Sequence, residues 1–417
     1  MSGSSDIVVV GGGMVGAMTA LAFAHCDQTV TVIEKKAPAE FDTLAHDIRV
    51  SAISHATLEM FKAVGVWQTM RDTRVCPYRN MLVWDSASTA KTRFNSADVG
   101  YDQLGYIVEN SLIQTALWQQ LRQLSNVAIQ CPESIISLDL QEHEASLTLA
   151  SGKTLRAGLV VAADGSQSTV RSLAGVEVDG ESYQQHALVA TVATEIEQQD
   201  ITWQRFTDTG PQAFLPLKGN RASMVWYHTA ERVAQLKVLS ESDFIDEMES
   251  EFPELLGKLI SIKQVGSFPL QWSHAQQYVR PRFALVGDAA HAVHPLAGQG
   301  VNLGMLDAAT LVQCVVEGMA QGKGPGDLRA LRRYERWRKP SNELMIRMLD
   351  GIQQAFQPQD RSAIQIGLLT AARTAALRMA DSIGPVNKAC MRAAMGLSGD
   401  LPDLARGRLP AAFASPV

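Results

Sequence analysis

The chain has 417 residues, 46% of them hydrophobic and 19% charged, with a formal net charge of −6. At roughly 150 residues per domain this length predicts two or three domains around a large core. The apolar fraction excludes a disordered chain, 31 Gly and 16 Pro are too few for a collagen-like or low-complexity one, and the acidic balance argues against a nucleic-acid surface.

The opening DIVVVGGGMVGAMTALAFAH reads as a buried strand, a glycine turn and a helix of small residues. Residues 29–34 (TVTVIE) give a second strand, so the start is a β-α-β unit with parallel strands. Gly11, Gly13 and Gly16 match G-x-G-x-x-G in the right place, after a strand and opening a helix. The first glycine permits the turn, the second admits a phosphate, and the third lets helix and strand pack closely. A helix N-terminus offers unpaired N–H groups to a pyrophosphate. Glu34, ending the second strand, is placed to accept from ribose hydroxyls.

Further along, 112–124 reads as a helix and 159–163 as a buried strand ending at Asp164-Gly165, with Ser166, Ser168 and Arg171 following. Alone, that Asp-Gly reads as an ordinary turn. Between 175 and 279 the character changes: HALVATVATE, ITWQRF, QAFLPL and RASMVWYH predict antiparallel strands, interrupted by a helix over 242–260. LVGDAAHAVHPLAGQGVNLGMLDAATL then returns to a strand, a glycine loop and a helix, placing Asp288 at a strand's C-terminal edge. Gly298, Gly300 and Gly304 mark a second turn into a helix whose N-terminus favours negative charge. Asp288, His291 and His294 lack further ligands for a metal, so the histidines read as hydrogen-bonding loop residues. GMAQGKG (318–324) has the wrong spacing and no preceding strand for a phosphate loop; it ends a helix.

Helices are predicted from there to the end. Residues 325–417 hold 14 Lys/Arg against 8 Asp/Glu, densest in LRALRRYERWRK. That region reads as a solvated helix face or as a docking surface for anionic lipid or an acidic partner. Cys26, Cys76, Cys131, Cys314 and Cys390 are scattered, which fits a reducing cytosol and gives no Cys-based zinc site. No Lys or Arg precedes Lys35, and no run of about 20 uncharged apolar residues is present. The expectation is a soluble, cytoplasmic protein, at most peripheral at the inner face of a membrane.

The predicted fold class is α/β, with a discontinuous Rossmann-like dinucleotide-binding domain (1–75, 111–174 and 280–324). A substrate-side insertion (76–110), an inserted, mainly antiparallel β-sheet substrate domain (175–279) and a helical C-terminal region (325–417) complete it.

In order and spacing, GGGMVG, ADGSQSTVR and GDAAHAVHPLAGQGVNLG resemble the FAD-dependent aromatic hydroxylases of the para-hydroxybenzoate hydroxylase-like group. DIRVSAIS, GVW, VEN and HPLAGQGVNLG are similar to the hydroxylases of ubiquinone biosynthesis within it. PYRNMLVWD, WQRFTDTGPQAFLPL and SMVWYHTAERVAQL resemble the branch acting on 2-polyprenyl-3-methyl-6-methoxy-1,4-benzoquinol. The resemblance implies FAD as cofactor, O2 and a polyprenylated quinol as substrates, NAD(P)H as electron donor, and ring hydroxylation through a flavin hydroperoxide. It leaves as alternatives a sister hydroxylase acting at another ring position and a prenyl-lipid reductase without oxygen insertion.

Residue by residue, it implies that Gly11, Gly13 and Gly16 hold the FAD pyrophosphate and Glu34 the adenosine ribose. Arg49 would reach the diphosphate side, and Asn110, standing where many relatives have Arg, would face the flavin. Asp164 would support the pyrophosphate region and Asp288 the ribityl chain. Pro295 would lie beside the flavin's reactive face, with the backbone N–H groups of Gly300, Val301 and Asn302 at its N1–C2 edge. No residue is assigned a catalytic role, since the cofactor carries the hard chemistry; His186, Tyr227 and His228 read as structural.

Overall fold

The computed structural model describes residues 3–197, 200–253, 257–294, 298–356 and 363–410. Strand Gly3–Val10 lies at the centre of the first sheet, parallel to Val30–Ile33 on one side and to Thr154–Ala162 on the other. Val127–Gln130 and Phe283–Leu285 extend the parallel array outward on the two sides. Ile7, Val8 and Val9 are fully buried, as a central parallel strand covered on both faces requires. Helix Met14–Ala24 is buried nearly all round, because its small residues fit between the sheet and helices Asn110–Leu121 and Gln299–Ala320.

The second sheet runs in the order His291–Ala292, Leu259–Ala275, Val178–Thr194, Arg221–Thr229, Gly210–Leu217, Ile201–Thr207, Asn80–Asp85, Lys91–Asn95. Its pairs are antiparallel except Ile201–Thr207 with Asn80–Asp85. Period-2 alternation divides its side chains. Leu188, Ala190, Phe214, Met224 and Trp226 pack under helices Ala230–Lys237 and Glu241–Glu251. Ala187, Val189, Ala213, Leu215, Val225 and Tyr227 point the other way, toward the first sheet.

Local differences from expectation have identifiable causes. The predicted helix over 242–260 stops at Glu251, since Pro253 biases the residue before it out of helical conformation. Residues 259 and 260 are already strand. Strand Val178–Thr194 starts eight residues before HALVATVATE; its first half is mostly exposed and carries no alternating apolar signal. Helix Ala230–Lys237, capped by the Thr229 side chain on Arg232 N–H, is an addition. GMAQGKG does end a helix: Gln299–Ala320 closes there and Gly322 turns with φ of 81°. That helix is long and apolar enough to cross a membrane, with mean hydropathy 1.3, but 72% of that stretch is buried as a core helix.

At the C-terminal end, helix Leu328–Phe356 packs on helix Gln299–Ala320 and strand Val279–Arg280, while Ala363–Ser382 and, beside it, Gly384–Ala394 lie at the outer edge of the second sheet. The basic stretch is largely engaged. Arg338 is a core residue paired with Asp307 at 2.8 Å, Arg333 pairs with Glu317, and Lys339 donates to the Gln276 carbonyl at 2.8 Å. Arg332 and Arg336 remain exposed.

Candidate active site

Three segments far apart in sequence meet at the first glycine loop. Gly11 adopts φ of 103°, and any side chain there would run into the Ala163 carbonyl and Asp164 Cα. A side chain at Gly16 would strike the Gly11 carbonyl, so the third glycine closes helix onto turn. Val15 sits against Gly287 and Gly304; a Cβ at Gly304 would stand 2.7 Å from its methyl. The loops carrying Asp164 and Asp288 are thereby brought to the same turn. Gly13 differs: nothing lies within 4 Å of the position its Cβ would take. The loop is held from behind by Trp118 Nε1 and Gln114 Nε2 donating to the Gly12 carbonyl at 2.7 and 3.0 Å, and by Gly12 N–H donating to Glu34 at 2.5 Å.

Next to this loop a cavity of about 610 Å³ opens between the two sheets. One end is lined by Met14, Arg49, Asn110, Asp288, Gly300 and Val301. Gly298 caps helix Gln299–Ala320 in the left-handed region (φ 62°), so the helix N-terminus and its partial positive charge face this end. Asp288 is accessible from within the cavity yet surrounded by protein. Burial raises its carboxyl above the usual range, against the pull of His291 and Arg49. No hydrogen bond from the described residues reaches it, leaving both oxygens for a ligand hydroxyl. Arg49 lies over the Phe268 ring at 5.3 Å, and Asn110 Oδ1 accepts from Ser51 Oγ at 2.7 Å.

Two further predicted residues, Asp164 and Asn302, bond within the protein. Asp164 turns its carboxylate onto Ser168 Oγ and Val170 N–H, so it shapes its own turn. The Asn302 side chain bridges to the Ala52 carbonyl at 2.8 Å and accepts from Ser54 N–H at 3.0 Å and Thr57 Oγ1 at 2.9 Å. Only its backbone N–H belongs to the first helical turn. Pro295 lies outside the described residues. His291 hydrogen-bonds Asp307 at 2.5 Å, as a loop hydrogen-bonder should. His294 has no hydrogen-bond partner among the described residues: it is buried between the rings of Tyr183 and Tyr227, and burial lowers its pKa to about 4. Of His186, Tyr227 and His228, Tyr227 alone lines the cavity, its phenol pushed up by burial and so kept protonated.

Sequence reading missed most of the chamber's walls. Thr202, Gln204, Ser223 and Val225 line its floor, with Ser223 Oγ buried and unpartnered among the described residues. Their signal was the alternation within ITWQRF and RASMVWYH, but which alternate set faces a cavity depends on what packs opposite. Cys390 and Met391, on a helix that no motif marks, and Met395 just beyond it also line the cavity.

The comparisons fit this geometry. A family model described as FAD binding domain matches residues 4–348. The 3-demethoxyubiquinol 3-hydroxylase of Escherichia coli (strain K12) is 40% identical over 378 residues, covering 90% of this chain and 96% of that one. Ubiquinone hydroxylase UbiL of Rhodospirillum rubrum is 34% identical, covering 97% and 93%. Among solved structures, p-nitrophenol 4-monooxygenase PnpA from Pseudomonas putida DLL-E4 superposes with a TM-score of 0.75 at 20% identity, covering 96% of this chain and 99% of that one. With a family model over residues 4–348 and relatives matched over nearly their whole length, the chain belongs to the FAD-binding-domain family and is an FAD-dependent monooxygenase.

Proposed function

We propose that this enzyme hydroxylates the ring of a polyprenylated demethoxyubiquinol, with O2 as oxidant and NAD(P)H as electron donor. The observation that carries the reading is a single cavity joining the flavin cradle to a chamber lined mainly by apolar side chains. Gly11, Gly13 and Gly16 with the helix N-terminus behind them would hold the pyrophosphate, Glu34 the adenosine ribose, and Asp288 the ribityl chain, while Arg49 would neutralise the diphosphate side. Asn110 and the backbone N–H groups of Gly300, Val301 and Asn302 would meet the tricyclic ring. Bound flavin supplies the two-electron reduction and activation of O2 that oxygen insertion requires.

The protein supplies position, dryness and field. The dipole of the helix starting at Gln299 favours negative charge at the flavin's N1–C2 edge. Val189, Val225 and Leu215 would keep water from the ring's approach, the dry surroundings that flavin-based oxygen chemistry needs. Tyr227, held protonated by burial, does not serve as a base there.

Supplying demethoxyubiquinol and labelled O2 to the reduced enzyme is expected to put one labelled oxygen into the ring, read by mass spectrometry of the quinone. A product reduced without label would instead assign a reductase, and label at a different carbon a sister hydroxylase.

We infer that the tail of such a substrate would draw the enzyme to the inner face of a membrane. Ile364, Leu368, Met379 and Ile383 are exposed on the C-terminal helices, with Arg378, Lys388 and Arg392 exposed near them. An anionic bilayer complements that mixture of apolar and basic groups. An Ile364→Asp/Leu368→Asp variant is expected to bind anionic vesicles at least about tenfold more weakly, since each side chain contributes about 1.5–3 kcal/mol on burial. Charge reversal at Arg332 and Arg336, about 1 kcal/mol each, should weaken binding less. Equal flotation of the apolar variant and the parent would remove this surface from the reading.

A further inference from the structure

The cavity is longer than a flavin ring and a quinol ring require, and its second half has a different character. Its floor crosses the second sheet at right angles to the strands. In register, Val189 faces Val225, Val225 faces Ala213, and Ala213 faces Gln204. Two residues along that last strand, Thr202 faces Met81, and Met81 faces Phe94. From the strand of Val189 to the strand of Phe94 is five inter-strand steps, roughly 24 Å at about 4.8 Å each. Over the outer part lies helix Gly384–Ala394, whose Met391, with Met395 just beyond, packs on Leu104, Tyr78, Met81 and Phe94.

That covering helix and the preceding one, Ala363–Ser382, are fixed to the sheet edge by polar bonds. Asn387 Nδ2 donates to the Arg93 carbonyl at 3.0 Å and to the Ala380 carbonyl at 2.9 Å. Thr92 Oγ1 donates to the Leu377 carbonyl at 2.9 Å, and Arg93 N–H to Asp381 at 2.9 Å. Beneath the covering helix lie the apolar side chains of Met81, Phe94 and Leu104. Met side chains, flexible and polarizable, line the cavity there on two sides, a wall suited to a long, conformationally loose hydrocarbon. At the end of the passage Cys390 both lines the cavity and is exposed to solvent, which marks the mouth.

We propose that this outer arm, between strands Asn80–Asp85 and Lys91–Asn95 and helix Gly384–Ala394, is a binding site for the isoprenoid tail, with its exit beside Cys390. The assignment rests on the prenylated-substrate reading above and adds its direction. The ring stays at the flavin end, the first isoprene units lie across Gln204 and Thr202, and the tail leaves under Met391 and Met395. The mouth opens on the same helices that expose Ile383 and Met379, so the tail passes from protein to lipid with little contact with water.

Cys390 reports on this directly. Cys26, Cys76 and Cys314 are buried and Cys131 is half-buried, so Cys390 is the fast-alkylating thiol and Cys131 an internal reference. With FAD-loaded enzyme and quinols presented in the same detergent micelles, a long-tailed demethoxyubiquinol is expected to slow N-ethylmaleimide modification of Cys390 at least about fivefold by peptide mass spectrometry. The same ring with a single isoprene unit should leave it fast. Met391→Trp, which fills the passage, should lower kcat/KM for the long-tailed quinol at least about tenfold relative to kcat/KM for the short one.

Equal Cys390 rates with both quinols, together with an unchanged ratio in Met391→Trp, would overturn the tail site while leaving ring hydroxylation standing. Protection by the long tail without labelled oxygen in the ring would keep the tail site and overturn the catalytic reading. The protection assay needs no turnover, so the two fail separately.

Discussion

Gly13→Asp is expected to fold normally and to purify without yellow colour. A Cβ at this position meets nothing within 4 Å, and the Gly13 backbone, with φ −64° and ψ −179°, suits any residue. The substitution therefore costs the empty protein little, and its thermal midpoint measured without FAD should stay within about 2 °C of the parent. What changes is the ligand. A fixed carboxylate would stand where a doubly charged pyrophosphate approaches the helix N-terminus, turning an attraction into a repulsion. A loss of FAD affinity of at least about 100-fold, or about 2.7 kcal/mol, should appear in titrations followed by flavin fluorescence.

Gly16→Val supplies the contrast. Its Cβ would strike the Gly11 carbonyl, so overpacking should lower stability by about 1–3 kcal/mol whether or not FAD is present. Should Gly13→Asp stay yellow with unaltered affinity, the glycine loop is not the pyrophosphate seat and the site reading falls with it.

The contrast between Gly13 and its neighbours also shows what sequence can carry. The glycine fingerprint, the strand before it and Glu34 after it are local, so their geometry is written in adjacent residues. The meeting of Asp288 with that loop is not local. It was expected from the family resemblance and is made in the structure by Val15 lodging against Gly287 and Gly304. Two misplacements have the same origin. Arg338 sits in a run of basic residues and reads as surface, yet its partner Asp307 lies 31 positions earlier, and that contact buries it. His294 reads as a polar loop residue, but its neighbours are aromatic rings from two other strands. The chamber's outer arm was hidden because helix Gly384–Ala394 bears ordinary small and apolar residues; only the sheet edge beneath gives them a role.

Asp307 is where the second large effect is expected. Its carboxylate is fully buried and gathers four donors: His291 Nε2 at 2.5 Å, Arg338 Nε at 2.8 Å, Asn342 Nδ2 at 3.0 Å and Gly287 N–H at 3.2 Å. Burial alone would raise its pKa; the charges of His291 and Arg338 and the hydrogen bonds outweigh it and hold the group at about 2, against 3.8 for an ordinary aspartate. Asp307→Asn leaves Arg338 buried without its counter-charge and sets an amide N–H against donors. Breaking such a pair costs about 3–5 kcal/mol, a fall in thermal midpoint of about 3–6 °C for a chain of this length. An Asp307→Leu/Arg338→Met variant removes both charges and should recover part of that loss. FAD affinity should not recover with it, because Gly287 N–H still lacks its acceptor and the turn carrying Asp288 is no longer held.

The acid limb gives an independent reading. A carboxylate whose folded pKa is depressed contributes its full stability above the unfolded value of 3.8 and loses it as pH falls toward about 2. The parent should therefore lose about 2 kcal/mol from this group across that window, and Asp307→Asn should show a correspondingly shallower slope in urea titrations at each pH. A single variant as stable as the parent, with an equally steep acid limb, would mean that Asp307 is not the charge binding the long C-terminal helix to the flavin turn.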